Sequence, residues 1–339
     1  MTGRDAYHRI RVSAVVEETA DARSLVLAVP DDLAGRFAYR PGQFLTVRVP
    51  RGGGGTLARC YSLSSAPELG EPHTITVKRV PGGHASNWLC DQVTAGTHLQ
   101  VSPPAGRFVP DSLDADLLLL AGGSGITPMA SILKSILARG RGRVALVYAN
   151  RDEDSVIFAA ALRDLETRHP DRLWVRHWFD AERGPPTADA LATLTRPYAD
   201  RDTFVCGPEP YLVVARDALT GLGVAAERIH VERFEAMSDD EPPAAAPAAG
   251  ATVQVTLDGR TLRLPWPAGT RLLDLLIDTG LNPPYSCRQG ICGACACRLV
   301  DGDVVLLHNE VLEEQDFAEG YTLACQALPL TATVVVDYS

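Results

Sequence analysis

At 339 residues the chain is too long for one ordinary core, so two or three domains are expected, and 46% hydrophobic with 22% charged residues excludes a disordered or fibrous protein. A net charge of −10 argues against nucleic acid as a partner. The opening MTGRDAYHRIRV has no apolar stretch of signal-peptide length, and the longest apolar run, around Leu117–Ala121, is far too short to span a bilayer, so a cytoplasmic protein without a membrane partner is expected.

Residues 8–108 alternate apolar and polar positions between Gly/Pro turns, predicting strands at Arg9–Glu17, Ser24–Pro30, Gln43–Pro50, Ala58–Ser64, Thr74–Val80 and Thr97–Val101. Their spacing suggests a small antiparallel β-barrel, assigned to residues 1–110. From Asp116 the pattern changes. Strands at Asp116–Ala121, Arg143–Tyr148, Leu173–Trp178, Thr203–Cys206 and Ile229–Val231 alternate with helices that end at Arg139 or cover Val156–Arg168 and Pro210–Leu222. This alternation predicts an α/β parallel-sheet domain over 111–236, with its ligand at the carboxyl ends of the strands.

MSDDEPPAAAPAAG, from Met237 to Gly250, has no periodic apolar face and reads as a linker, bounded at 237–251. The tail, 252–339, opens with a hairpin (Thr252–Leu257, Thr261–Pro265), continues with a helix at Leu272–Thr279 and a cysteine loop, and closes with strands, an α+β module. It carries 5 Lys/Arg against 11 Asp/Glu, while residues 1–110 carry 12 against 9. The acidic tail therefore suits a basic protein surface.

Five of the eight cysteines lie in this tail. Cys287-x4-Cys292-x2-Cys295, with Cys325 after 29 more residues, is the plant-type ligand spacing for a 2Fe–2S cluster. Four thiolates stabilise both ferric and ferrous iron, and Gly290, Gly293 and Ala294 let the loop turn its N–H groups toward the sulfurs. Four cysteines also suit tetrahedral zinc, although zinc usually takes two short Cys pairs. Cys297 reads as a small core side chain.

PYSCRQGICGACAC together with LACQA resembles plant-type ferredoxins, which fold as a β-grasp, and the first 234 residues resemble the ferredoxin–NADP reductase superfamily. In that superfamily Arg59-x-Tyr61-Ser62 matches the flavin signature. The resemblance implies that Arg59 pairs with the flavin pyrophosphate, Tyr61 stacks on the ring and Ser62 hydrogen-bonds at N5. Taken alone, the motif could equally be an exposed strand Arg and a core Tyr. Thr76-Val77-Lys78 and Gly83-His84-Ala85-Ser86 follow at the family's distance, the second group resembling the helix N-terminus that receives the pyrophosphate. Ser65, three residues after Ser62, implies FAD where Asn or Asp would imply FMN.

Gly122-Gly123-Ser124-Gly125-Ile126-Thr127-Pro128 matches the superfamily's nicotinamide dinucleotide loop, and Thr127 there often also touches the flavin. Cys206-Gly207-Pro208 resembles the segment lining the nicotinamide pocket, and Phe234 either covers the flavin or packs ordinarily. The resemblance implies catalytic roles for Tyr61, Ser62 and Cys206. Arg151, after the second parallel strand, is placed to hold a 2′-phosphate, whereas an acidic residue would have indicated NADH; the residues leave this choice open.

ARCYSLSS, ASNWLCD, LLLLAGGSGITP, YANRDEDSVIF and EVLEEQDFAEGYTLACQA resemble the family of reductase components of 3-ketosteroid 9α-hydroxylases over nearly the whole chain. That resemblance implies an NADH-dependent enzyme carrying electrons from NADH through FAD and 2Fe–2S to a Rieske-type terminal oxygenase, with the reductase acting as a monomer. Alternatives are the reductase of another oxygenase, such as a di-iron phenylacetyl-CoA epoxidase, and a non-enzymatic redox sensor.

Overall fold

The computed structural model describes residues 7–51, 55–234, 251–257, 259–281, 283–285, 290, 293–309 and 311–338. They form two compact units, His8–Glu235 and the C-terminal residues together with Tyr7. The expected linker lies outside the described residues except for Ala251.

The first unit opens with β1 (His8–Thr19), β2 (Ala22–Ala28), β3 (Phe44–Arg51), β4 (Gly55–Ser62) and β5 (Thr74–Lys78), then α1 (His84–Gln92) and β6 (His98–Val101). The strands pair antiparallel in the order β4-β3-β6-β1-β2-β5, and a bridge between Leu63 and Ile75 joins the two edges into a closed barrel. Alternate residues such as Ile10, Val12, Leu25, Leu27, Leu45, Val47, Leu99 and Val101 fill its interior, as the two-residue period of a strand requires.

The same unit continues with β7 (Leu117–Gly122), α2 (Ile126–Arg139), β8 (Val144–Asn150), α3 (Ala159–Arg168), β9 (Leu173–Phe179), α4 (Asp180–Arg183), α5 (Ala188–Thr195), β10 (Asp202–Gly207), α6 (Glu209–Gly221) and β11 (Ile229–Arg233). All neighbours are parallel, in the order β11-β10-β7-β8-β9. β7 and β8 are buried at every position because helices cover both faces. Successive strands are laid in one direction from β7 through β8 to β9, and in the other from β10 to β11. The switch point therefore falls between β7 and β10, where such sheets bind ligands.

The helix expected from Val156 begins instead at Ala159. The Ile157 N–H donates to the Tyr148 hydroxyl at 3.2 Å rather than into a helix, and Phe158 is held left-handed at φ 63°.

The C-terminal unit contains β12 (Ala251–Leu257), β13 (Arg260–Trp266), α7 (Leu272–Asp278), β14 (Ala296–Asp301), β15 (Val304–Leu306), α8 (Glu314–Ala318), β16 (Tyr321–Leu323), β17 (Ala327–Pro329) and β18 (Thr333–Asp337). Its main sheet runs β13-β12-β18-β14-β16 with β12 and β18 parallel, and β15 pairs with β17. Leu272, Leu273 and Leu276 of α7 join Val253, Val255, Val334 and Val336 in one core, the expected β-grasp arrangement. Among the described residues no helix is long and apolar enough to cross a membrane.

Candidate functional site

At the switch point the Gly122–Gly125 loop lies directly on the end of β10. A Cβ at Gly125 would stand 2.1 Å from the Cys206 carbonyl oxygen, so no other residue fits there. Thr127 is buried and donates to the Ser124 carbonyl at 3.1 Å, tying the loop to the start of α2. Cys206 is fully buried between Ala121 on β7 and Glu232 on β11, and burial, reinforced by Glu232, pushes its thiol well up.

No sequence pattern singles out Glu232. Its carboxylate accepts a 3.1 Å hydrogen bond from Ser62, 170 positions earlier, which ties the barrel to the last parallel strand. Burial pushes the carboxyl up to about 8, against the lowering effect of the Ser62 hydroxyl. A buried carboxyl, a serine hydroxyl and a thiol therefore meet beside the dinucleotide-type loop.

On the barrel side Arg59 and Tyr61 share one face of β4, since they are two residues apart. Burial raises the Tyr61 hydroxyl, with Arg59 pulling it down. At the start of α1, Ser86 accepts from the Val80 N–H (3.0 Å) and Asn87 donates to the Gly83 carbonyl (2.7 Å), fixing the turn at Gly83. Ala85 is buried, and His84 is exposed with its Nε2 2.7 Å from the Pro50 carbonyl. The first-turn N–H groups of a helix have no intrahelical acceptor, so this N-terminus and Arg59 fit a pyrophosphate.

Three other expected flavin residues have side chains committed to partners within the first unit. Thr76 bonds Ser24 (2.8 Å) and Ser64 (2.9 Å), and Val77 is core. The Ser65 hydroxyl meets Tyr39 (2.6 Å) and the Thr74 N–H (3.0 Å), and the Ser65 carbonyl accepts from Ser131 on α2 (2.6 Å). Only the main chain of Thr76 and Val77 is left for a ligand.

A cleft of about 310 Å³ opens beside the loop, lined among others by Lys78, Gly123, Asn150, Arg151, Pro208 and Asp180. Gly207, at the end of β10, is buried. Arg151 is exposed and its guanidinium donates to Asp21 of the barrel at 2.9 Å. Asp180, directly after β9, has a buried Oδ1 with no partner among the described residues, and desolvation raises its carboxyl. Sequence reasoning missed it by looking only after the second parallel strand. Phe234 lies just past β11 and is 40% exposed.

In the C-terminal unit Cys287 and Cys292 lie outside the described residues. Cys295 and Cys325 are both buried, and the Ala324 N–H donates to the Cys295 carbonyl at 3.2 Å, drawing the two segments together. The Cys325 turn is also anchored to α7 by a bond from the Leu273 N–H to the Ala324 carbonyl (2.9 Å). Gly290 stands at φ +77°, and a Cβ there would come within 2.5 Å of the His308 carbonyl. This donor set suits an iron–sulfur cluster. Cys297 sits in the core beside Tyr338, and burial pushes its thiol up to about 12.

Three family models match the chain. They are an oxidoreductase FAD-binding domain over residues 9–109, an oxidoreductase NAD-binding domain over 119–217 and a 2Fe-2S iron-sulfur cluster binding domain over 255–330. The expected FAD, NAD and 2Fe–2S binding is thereby borne out. The chain is 51% identical over 341 residues to the ferredoxin reductase component of 3-ketosteroid-9-alpha-monooxygenase from Mycolicibacterium smegmatis, covering 97% of this chain and 96% of the relative. It is 34% identical to one of the subunits of 1,2-phenylacetyl-CoA epoxidase from Escherichia coli, covering 98% of each. Among solved structures, phthalate dioxygenase reductase matches with a TM-score of 0.61 and 25% identity, covering 98% of both chains.

Proposed function

The chain belongs to the family of ferredoxin reductase components of 3-ketosteroid 9α-monooxygenases, and from that premise we propose that it oxidises NADH and reduces a Rieske-type terminal oxygenase acting on a 3-ketosteroid. We place its domains at 1–110 for FAD, 111–236 for the dinucleotide and 252–339 for the cluster, joined by a linker at 237–251, in a monomer. FAD, when bound, accepts electrons as a pair and releases them one at a time, which matches a cluster that carries one.

The observation that carries the reading is the Ser62–Glu232 bond, which brings the barrel strand of the flavin motif to the same strand ends as Cys206 and Gly125. Arg59, Tyr61, Lys78 and the turn Gly83–Ser86 hold FAD, with Ser65 anchoring the barrel against α2. Gly122, Gly123, Ser124, Gly125 and Thr127 cradle the dinucleotide pyrophosphate, and Cys206, Gly207 and Pro208 line the nicotinamide end, with Phe234 at its margin. Glu232, its carboxyl raised to about 8 by burial, accepts the Ser62 hydroxyl's hydrogen bond. Cys287, Cys292, Cys295 and Cys325 bind the iron.

Asp180 supports NADH. An acidic side chain at a strand end accepts from the ribose hydroxyls and repels a 2′-phosphate. The test combines the purified reductase, a Rieske-type 3-ketosteroid oxygenase and a 3-ketosteroid. Hydroxylated product should form with NADH at a kcat/KM at least about tenfold above that for NADPH, since one charge contact separates the donors. No product, with diaphorase activity intact, would overturn the partner; a preference for NADPH would overturn the donor.

A further inference from the structure

We infer that Asp21, on the barrel, is a positioning residue for donor choice: it captures the Arg151 guanidinium at the lip of the dinucleotide cleft and so keeps that charge from a 2′-phosphate. The inference rests on the NADH reading above.

Asp21 sits in the two-residue turn between β1 and β2 and is held from several sides. Its Oδ1 accepts from the Thr19 hydroxyl at 2.8 Å, its N–H donates to the same Thr19 oxygen at 3.3 Å, and its carbonyl accepts from the Arg79 N–H at 2.7 Å. The second carboxylate oxygen is thus aimed by the fold. Arg151 donates to it at 2.9 Å, and the Lys78 ammonium stands 4.0 Å from the same atom.

The backbone of Arg151 is meanwhile fixed beside Asp180, because its carbonyl accepts from the Ala181 N–H at 2.8 Å. Arg151 therefore starts at the point where a ribose would meet Asp180, while its charged end is spent on Asp21. Arginine at this place in a parallel sheet suits a 2′-phosphate, and the partner contributed by the barrel draws its charge away. Asp21, Arg151 and Lys78 together carry one net positive charge. Removing the carboxylate leaves two, with a guanidinium free to make charge-assisted bonds.

The experiment compares wild type with Asp21→Asn, Asp21→Ala and Asp21→Glu as full-length holoenzymes. The readouts are kcat and KM for NADH and NADPH, and the Kd of adenosine 2′,5′-bisphosphate, which carries the 2′-phosphate without a nicotinamide. Asp21→Asn should tighten the bisphosphate and raise kcat/KM for NADPH by about tenfold, mainly through KM. Adding Arg151→Ala should abolish the gain, and Asp21→Glu should restore the wild-type ratio. Asp21→Ala gives the same reading if the amide disturbs the turn.

A wild-type donor ratio and bisphosphate affinity in both Asp21→Asn and Asp21→Ala overturns the inference. So does a gain that survives Arg151→Ala. A wild-type enzyme that already prefers NADPH would instead defeat the NADH reading, whatever Asp21 does.

Discussion

In the unit His8–Glu235 the residues proposed for electron entry come from β4, β5, α1, the β7–α2 turn, β10, β11 and the positions just after β8 and β9, and the Ser62–Glu232 bond spans 170 positions. In the C-terminal unit three of the four cysteines proposed for electron exit fall within residues 287–295, and a backbone bond from Ala324 to Cys295 draws the segment of the fourth to that of the third. A metal cluster demands short, fixed sulfur spacings, so one loop can supply most of its ligands. An organic cofactor extends over many ångströms and takes groups from whichever strand ends the topology brings together.

The sharpest break between the two units is Cys325→Ser. It should abolish the cluster's visible absorbance and transfer to the oxygenase, while FAD stays bound and ferricyanide is still reduced. Simultaneous loss of flavin and ferricyanide activity would show that the units do not serve separate halves of the path.

A smaller effect is expected in the first unit, where the load is shared. Arg59→Ala removes a charge-assisted pair and Tyr61→Ala a stacking surface, each weakening FAD by about 1.5–3 kcal/mol, roughly ten- to a hundredfold in Kd. FAD retention on dilution checks this, and wild-type retention in both variants would remove the motif from the flavin site.

The smallest effect concerns Glu232. Its folded value near 8 lies above the ordinary 4.5, so the folded state binds the extra proton between those values. The stabilisation is complete below about pH 4.5 and is lost as pH rises through about 8. The Tm advantage of wild type over Glu232→Gln should shrink across that window. A difference independent of pH would mean that the carboxyl does not titrate there.

Much of this is readable from local pattern. All six barrel strands and all five parallel strands follow from periodicity, because each buries one or both faces and its apolar spacing records which. α3 starts three residues later than its pattern predicts because the Tyr148 hydroxyl, from another strand, captures the Ile157 N–H and Phe158 turns left-handed. Thr76, Val77 and Ser65 carry the right motif, yet Val77 packs in the barrel core while the Thr76 and Ser65 hydroxyls bond neighbouring groups, which a motif match does not reveal.

By itself the sequence determined the modules and the cofactor classes, and it supplied the cysteine set proposed for the cluster, since these depend on residue types at short spacings. Only the tertiary structure decided that Glu232 faces Ser62, that Asp180 lines the cleft and that Asp21 holds Arg151. Each of those relations joins groups far apart in the chain or identifies which side chain points into a shared space. Strand order and barrel closure fix such pairings, and no local spacing encodes them.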